Sequence, residues 1–431
     1  MRLSRTTVRI MDSAPPSPAP STTITFRDLP DTDLDRALDL VYLAFHETPE
    51  DEKRKHHHDL LRGCDRVGAY DGETLVGLLA AFRFTMSVPG GELPCPSVTF
   101  VSVAPTHRRR GVLSGMVAAL FERCGASGRP LAALWASEDA IYGRFGFGPA
   151  TYNNTVEVKS ERPLALRITP AEGPLRLVDP AAAPALLAEY YDRTRAARAG
   201  RIDRTEAWWR EEWMATEDED DDDLSPPRVV VLGDAADPER VTGYAIYRTK
   251  GRDDAPGLVR LDELEADTPE AEAALWRYLA SIDLTGLIQA WGRPLDDPLL
   301  LFAGDRDQVR VTGQYPGLRV RLVDVRAALL ARSWAAPADL VLEVRDPQLP
   351  ANEGRFRLTV TDADGPAAYE PTDAPADLTL DVRDLGSAYL GGAPLVSFVR
   401  AGTVTEHTPG AAAALDAALT TALLPHTVDA F

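Results

Sequence analysis

The stretch Val103-Ala-Pro-Thr-His-Arg-Arg-Arg-Gly111 joins an alternating apolar run at 97–103 to a helix-period apolar run at 112–121. Alternation marks a half-buried strand and the 3.6-residue period an amphipathic helix, so three arginines and a glycine stand where a strand becomes a helix. A helix N-terminus exposes unpaired N–H groups and the positive end of the helix dipole, and attracts phosphate. Gly111 lets the backbone approach an anion closely, and Arg108, Arg109 and Arg110 add side-chain charge. The preceding strand can offer backbone groups of Val101 and Val103 to an extended amide-bearing chain. A pyrophosphate joined to a peptide-like arm describes coenzyme A. Read alone, the turn is equally a basic cap on a surface helix.

Other residues with chemical potential are read as structural. His56-His-His58 suggests a metal, but three consecutive helical residues point in different directions, so solvated helix surface is the reading and no metal is expected. Trp208, Trp209 and Trp213 have near-helical spacing and are assigned to core or interface packing, with a substrate wall as the alternative. The acidic run 217–223 has no apolar face and reads as a solvated loop. Cys64, Cys95 and Cys124 are odd in number and lack CxxC spacing, which fits reduced thiols in a cytoplasmic protein.

These residues need a scaffold. After a basic, then Ser/Pro/Ala-rich tail at 1–22, read as disordered, the pattern predicts a strand at 23–26, helices at 31–45 and 50–62, and strands at 66–70 and 74–85. A Pro/Gly-rich loop at 88–96 leads to the strand 97–103, the helix 112–126 and a strand at 131–135. A second unit roughly repeats this order, with helices at 180–198, around 208–213 and at 269–282, and strands at 228–232, 241–249 and 258–265. From about residue 338, strands at 340–344, 354–360 and 376–382 and helices at 383–389 and 410–423 form a third, small unit. The fold class is α+β (mixed α/β). No Arg-x-x-Gly of the second unit stands where a predicted strand becomes a helix, as Arg108–Gly111 does in the first, so no cofactor site is expected there.

A second block, Ala136-Ser-Glu-Asp-Ala-Ile-Tyr-Gly-Arg-Phe-Gly-Phe-Gly-Pro-Ala-Thr151, follows the strand ending at Trp135. Together with Phe100-Val-Ser-Val-Ala-Pro-Thr-His-Arg-Arg-Arg-Gly111, it resembles the enhanced intracellular survival (Eis) family of aminoglycoside N-acetyltransferases, whose acetyl-CoA signature is that of the GNAT superfamily. Gly243-Tyr-Ala-Ile-Tyr247 and Asp296-Asp-Pro-Leu299 look like the family's second, acetyltransferase-like domain, and 376–391 like its sterol-carrier-like domain. The resemblance implies a tail at 1–22, a GNAT domain at 23–165, a degenerate GNAT-like domain at 166–325 and a sterol-carrier-like domain at 326–431.

It also implies roles. Backbone groups of Phe100, Val101, Ser102 and Val103 would hold the pantetheine and thioester carbonyl. Arg108, Arg109, Arg110, Gly111, Val112, Leu113 and Ser114 would hold the pyrophosphate, and Ser137 and Glu138 the cofactor arm. Tyr142 would be the proton donor to the leaving thiolate, its reference pKa near 10 keeping it protonated at neutral pH. The carboxylate of Phe431 would be the base, although a reference pKa of about 3.3–3.7 makes it weak in water and chain ends usually fray. Phe45, His46, Glu47 and Trp135 would face the substrate. Leu113, Glu47 and Trp135 depart from the family's usual small residue, Asp and His. A homo-oligomer, a hexamer by resemblance, is implied.

Composition excludes other classes. The chain has 431 residues with 66 acidic against 46 basic side chains, a balance that repels nucleic acid and anionic lipid and favours cationic amines. No apolar segment reaches the roughly 20 residues of a membrane span. The expected activity is acetyl-CoA-dependent acetylation of primary amines on cationic small molecules. Protein-lysine or polyamine acetylation is one rival; a lipid- or small-molecule-binding protein with relic acetyltransferase units is another.

Overall fold

The computed structural model describes residues 23–431 except 219, 220 and 364, so the tail predicted at 1–22 lies outside the described residues. The first sheet is built from β1 (Thr25–Asp28), β2 (Asp65–Asp71), β3 (Thr74–Val88), β4 (Gly91–Val103) and β5 (Leu131–Leu134) in sequence order, followed by Arg319–Leu322 and Gly148–Pro149. Successive residues of a strand face opposite sides, and β3 uses both. Leu78 and Ala80 meet α1 (Leu34–Phe45) and α2 (Asp51–Gly63), while Leu79 and Ala81 meet α3 (Val112–Ala126). Burial on both faces makes β3 a nearly continuous apolar run.

The Pro/Gly-rich stretch expected to be a loop is a hairpin. β3 and β4 pair to their ends, Val88 opposite Gly91, and Gly90 supplies the positive φ of 82° that the tight turn needs. The ladder therefore outlasts the sheet, and residues 85–88 dock the segment 198–204 of the second unit. Ser87 N–H donates to the Arg201 carbonyl at 2.7 Å, and Met86 bridges Ile202.

The units exchange strands. Tyr152–Lys159 lies in the second sheet, between Thr285–Pro294 and Val309–Pro316. In return Arg319–Leu322 pairs antiparallel with β5, Arg319 opposite Leu134 and Leu322 opposite Leu131. A third sheet, in the order Ala367–Pro371, Gly354–Val360, Ala338–Arg345, Leu378–Asp381 and Thr405–Glu406, belongs to the third unit. One apolar cluster runs from the first sheet (Leu131, Val320, Leu322) into the third unit (Leu342, Tyr389, Leu415), so the two share a core. The aromatic segment of the second unit is a short α-turn, Glu206–Trp208, continued by a π-helical turn, Trp209–Trp213, rather than a regular helix.

All three cysteines are free and buried. Among the described residues no helix is long and apolar enough to cross a membrane, and no group of His, Cys, Asp and Glu is arranged to hold a metal.

Candidate active site

The site begins with a strand that leaves its neighbour. β4 pairs in parallel with β5 only at Ser97↔Ala133 and Val98↔Leu134. On its other side the register with β3 slips, Thr99 standing opposite Ala80 and Ser102 opposite Leu78, so that an extra residue bulges from β4. Phe100 carries the strain, with a φ of 48°. The bulge turns residues 99–103 away from β5, opening a wedge whose β4 edge offers unpaired backbone groups.

The turn after β4 closes the wedge. Pro105–His107 is one turn of 3-10 helix, Arg109 has a φ of 63°, and Gly111 caps α3 with a φ of 78°. No side chain caps α3, and the first intrahelical bond runs from Gly115 N–H to the Gly111 carbonyl at 3.0 Å. The amides of Val112, Leu113 and Ser114 are therefore available to an anion. A Cβ on Gly111 would meet nothing within 4 Å, so the turn is open. Arg108 and Arg109 are exposed without an ion pair among the described residues, whereas Arg110 lies 3.6 Å from Asp71 and His107 3.1 Å from it.

Tyr142 ends a short helix, α4 (Asp139–Tyr142), and stands edge-on to Phe147, with ring centroids 6.2 Å apart. Burial, and secondarily the charge of Glu138, pushes its phenol up to about 12. The glycine-rich turn that follows is held by the third unit. A Cβ on Gly148 would lie 2.1 Å from the Arg383 carbonyl, and one on Gly146 2.8 Å from Val382 Cγ1. Only glycine permits these approaches.

The chain end comes to the same place. Residues 424–431 leave the third unit and are held by Arg198, which donates to the Leu424 carbonyl at 2.7 Å, and by the His426 ring, 2.7 Å from the Gly292 carbonyl. Asp429 is buried beside Arg204 at 2.9 Å. Phe431 rests on Phe84, with ring centroids 5.9 Å apart.

These elements enclose a cavity of about 460 Å³ lined by Phe100, Val101, Trp135, Ser137, Tyr142 and Phe431 of the expected residues, with Phe45 and Glu47 at the end of α1. His46 is exposed instead: its φ of 62° terminates α1, turning it away from the lining. Glu138 is exposed at the α4 N-cap, and the Ser102 hydroxyl is buried without a partner.

Known proteins resemble this chain over most of its length. Residues 25–150 and 200–322 each match an Acetyltransferase (GNAT) domain family, and residues 325–427 a Sterol carrier protein domain. An uncharacterized N-acetyltransferase of Streptomyces avermitilis is 41% identical over 394 residues, covering 90% of this chain and 94% of the relative. N-acetyltransferase Eis of Mycobacterium tuberculosis is 37% identical, covering 76% and 78%. The crystal structure of Eis1 from Mycobacterium abscessus superposes with a TM-score of 0.82 at 33% identity, covering 95% of this chain and all of that one.

The chain belongs to the Eis family of GNAT N-acetyltransferases.

Within this Eis-family enzyme the second acetyltransferase-like unit repeats the pattern: its parallel pair ends at Leu261↔Ala290 and Gly257–Ala266 carries an extra residue, Asp262, opposite Ile246 and Tyr247. Here, however, a buried arginine occupies the strand that turns away, Arg293 Nη1 donating to the Leu264 carbonyl at 3.1 Å.

The Eis-type cavity also corrects the sequence reading. His56 and His57 are not solvated surface. α2 packs across the wedge, bringing His57 Nδ1 to 2.9 Å from Tyr42 Oη and its ring edge-on to Phe100, centroids 5.6 Å apart. His56 reaches Glu212 at 3.2 Å and Glu211 at 3.3 Å across the gap between units. Trp209 is core, but Trp208 and Glu212 line the cavity. A run of three histidines gives no directional cue, and the cue for Trp208 lay in its position on an interrupted helix. The acidic run is also tied down: Lys250 lies 2.7 Å from Asp221, and Arg260 Nη2 donates to Asp218 at 2.5 Å. Glu219 and Asp220 of that run lie outside the described residues.

Proposed function

We propose that the enzyme transfers the acetyl group of acetyl-CoA to a primary amine of a cationic small molecule such as an aminoglycoside, with Tyr142 as acid and the terminal carboxylate of Phe431 as base. The observation that carries this reading is that Tyr142 and Phe431, 289 positions apart in sequence, line one cavity at the point where β4 leaves β5. The open amides of Val112, Leu113 and Ser114, with Arg108 and Arg109, suit a pyrophosphate. The freed edge of β4 suits an amide-bearing arm.

Acetyl-CoA supplies the acetyl group and departs as the thiol. Phe431 receives the proton that the attacking amine gives up, and Tyr142 delivers one from its Oη to the sulfur as the C–S bond breaks. The phenolate is then reprotonated from solvent. A phenol held at about 12 is a weak acid for a free thiol of reference pKa about 8.5, an uphill transfer of roughly 5 kcal/mol. The same burial acts on sulfur: Cys64 of this chain is pushed up to about 12 by desolvation. A thiolate leaving into this cavity is penalised in the same direction, which narrows the gap.

Glu47 and Glu212 give the cavity two further carboxylates, in a chain of formal charge −20, and Phe45, Trp135 and Trp208 add apolar walls. This lining suits a polyammonium substrate with apolar ring faces. By kinship with the Eis proteins, a homo-oligomer is part of the same proposal.

The test is release of free thiol from acetyl-CoA in the presence of kanamycin, compared with spermidine and a lysine peptide. Tyr142→Phe is expected to lower kcat by about 10²-fold or more with the Kd for acetyl-CoA little changed. A two-residue extension after Phe431 is expected to abolish turnover while cofactor binding persists. Unchanged turnover in either variant would remove that group from its role.

A further inference from the structure

Termini fray unless something ties them down, so a terminal base needs a fixture. Asp429 is that kind of group. Its side chain is 1% exposed and faces Arg204, also 1% exposed, which donates through Nε at 2.9 Å and through Nη2 at 3.0 Å. The indoles of Trp208 and Trp213 each donate to Asp429 Oδ1 at 3.1 Å, and Tyr191 Oη donates to Oδ2 at 3.3 Å. The clamp is itself anchored. Arg204 turns its remaining donors to Glu263 at 2.6 and 2.9 Å, and Tyr244 Oη donates to Glu263 at 2.7 Å. Glu263 and Tyr244 sit on adjacent strands of the second sheet, Gly257–Ala266 and Val241–Lys250.

We propose that Asp429 is a positioning residue for the reaction: gripped by Arg204 and by the indoles of Trp208 and Trp213, it holds the terminal carboxylate two residues further on in the cavity wall. The inference rests on the terminal-base reading above. Two peptide units span at most about 7 Å, so a fixed Asp429 confines the chain end to a small volume, and the Phe431 ring against Phe84 selects the direction within it. Trp208 lines the cavity and also grips Asp429, so one ring touches both the substrate space and the tail. The arrangement divides the enzyme's labour: the first unit carries the acid, the third carries the base, and the second supplies the strands to which the base is fastened.

The experiment compares the full-length enzyme with Asp429→Asn and Trp213→Phe. Asp429→Asn keeps the shape but turns an amide toward donors, and is expected to lower kcat about ten- to a hundredfold with the Kd for acetyl-CoA within twofold. Carboxypeptidase acting on the native protein is expected to release Phe431 at least several-fold faster than from the wild type. Trp213→Phe removes one donor outside the cavity lining, and is expected to move kcat and Phe431 release in the same directions by less. Wild-type kcat and wild-type release in Asp429→Asn would overturn the clamp; if that variant fails to fold, the same result in Trp213→Phe would overturn it. The extended chain separates the two ideas. Full turnover with an extension after Phe431 removes the base, and the clamp's purpose with it. A dead extension beside a fully active Asp429→Asn removes the clamp alone.

Discussion

Tyr142 packs as a core residue while facing the cavity, and burial pushes its phenol up to about 12, so it stays protonated at neutral pH and well above it. His426, in the segment that leads to Phe431, is buried as well. Its buried ring is held well below the usual histidine value, first by desolvation and then by Arg198 and Arg201, while hydrogen bonding the Gly292 carbonyl. The sign follows from linkage. The folded chain keeps the ring neutral, and the unfolded chain binds a proton below pH about 6.5, so this contribution is intact above that pH and declines as pH falls beneath it. His426→Gln, whose amide can keep the bond to Gly292, removes the titration. Between pH 7 and 5.5 the wild type is expected to lose about 1 kcal/mol more stability than the variant, read from urea midpoints. Equal losses would show that the ring already has access to protons in the folded state.

At the scale of elements, two glycines of the site serve different physical needs and predict different damage. Gly111 has open space where a Cβ would go, so Gly111→Ala costs only the left-handed backbone, about 1–2 kcal/mol, beside the α3 amides proposed to hold the pyrophosphate. Its effect is expected in the Kd for acetyl-CoA, measured by calorimetry, with kcat largely kept. Gly148 has no such space. A methyl there meets the Arg383 backbone, so Gly148→Ala must push the turn carrying Tyr142 off its support, at a cost of about 1–3 kcal/mol. Its loss is expected in kcat with cofactor affinity kept, and the reverse pattern for the two variants would reject this division.

The same contrast explains what was legible in the sequence. The α3 boundaries, Val112–Ala126, coincide with the apolar period and its glycine cap, both local signals. Arg319–Leu322 is absent from the predicted elements: all four residues are buried, and charged residues such as Arg321, here paired with Asp346, give no sign of a core strand. The register slip that opens β4 and the approach of α2 that brings in His57 are tertiary events with no local pattern. Phe431 was placed only through kinship, since a chain end carries no signal of its own.

At the scale of the molecule, the third unit buttresses the turn that follows Tyr142, carries Phe431, the proposed base, and shares a core with the first sheet. It should therefore not melt alone. The Arg321–Asp346 pair crosses that junction at 2.7 Å with both side chains fully buried, and Asp346 also accepts from Asn352 Nδ2 at 2.8 Å. Breaking a buried pair from one side leaves an uncompensated charge, so Asp346→Asn is expected to cost about 3–5 kcal/mol. Acetyl-CoA bound to the first unit acts in the opposite sense, adding about 2.7 kcal/mol at a hundred times its Kd. If the first and third units form one cooperative block, scanning calorimetry will show both changes moving the same transition, down for the substitution and up for the ligand. A separate transition that Asp346→Asn lowers and acetyl-CoA leaves in place would mean that the third unit folds as an independent body, and its delivery of the chain end would then depend on docking rather than on a shared core.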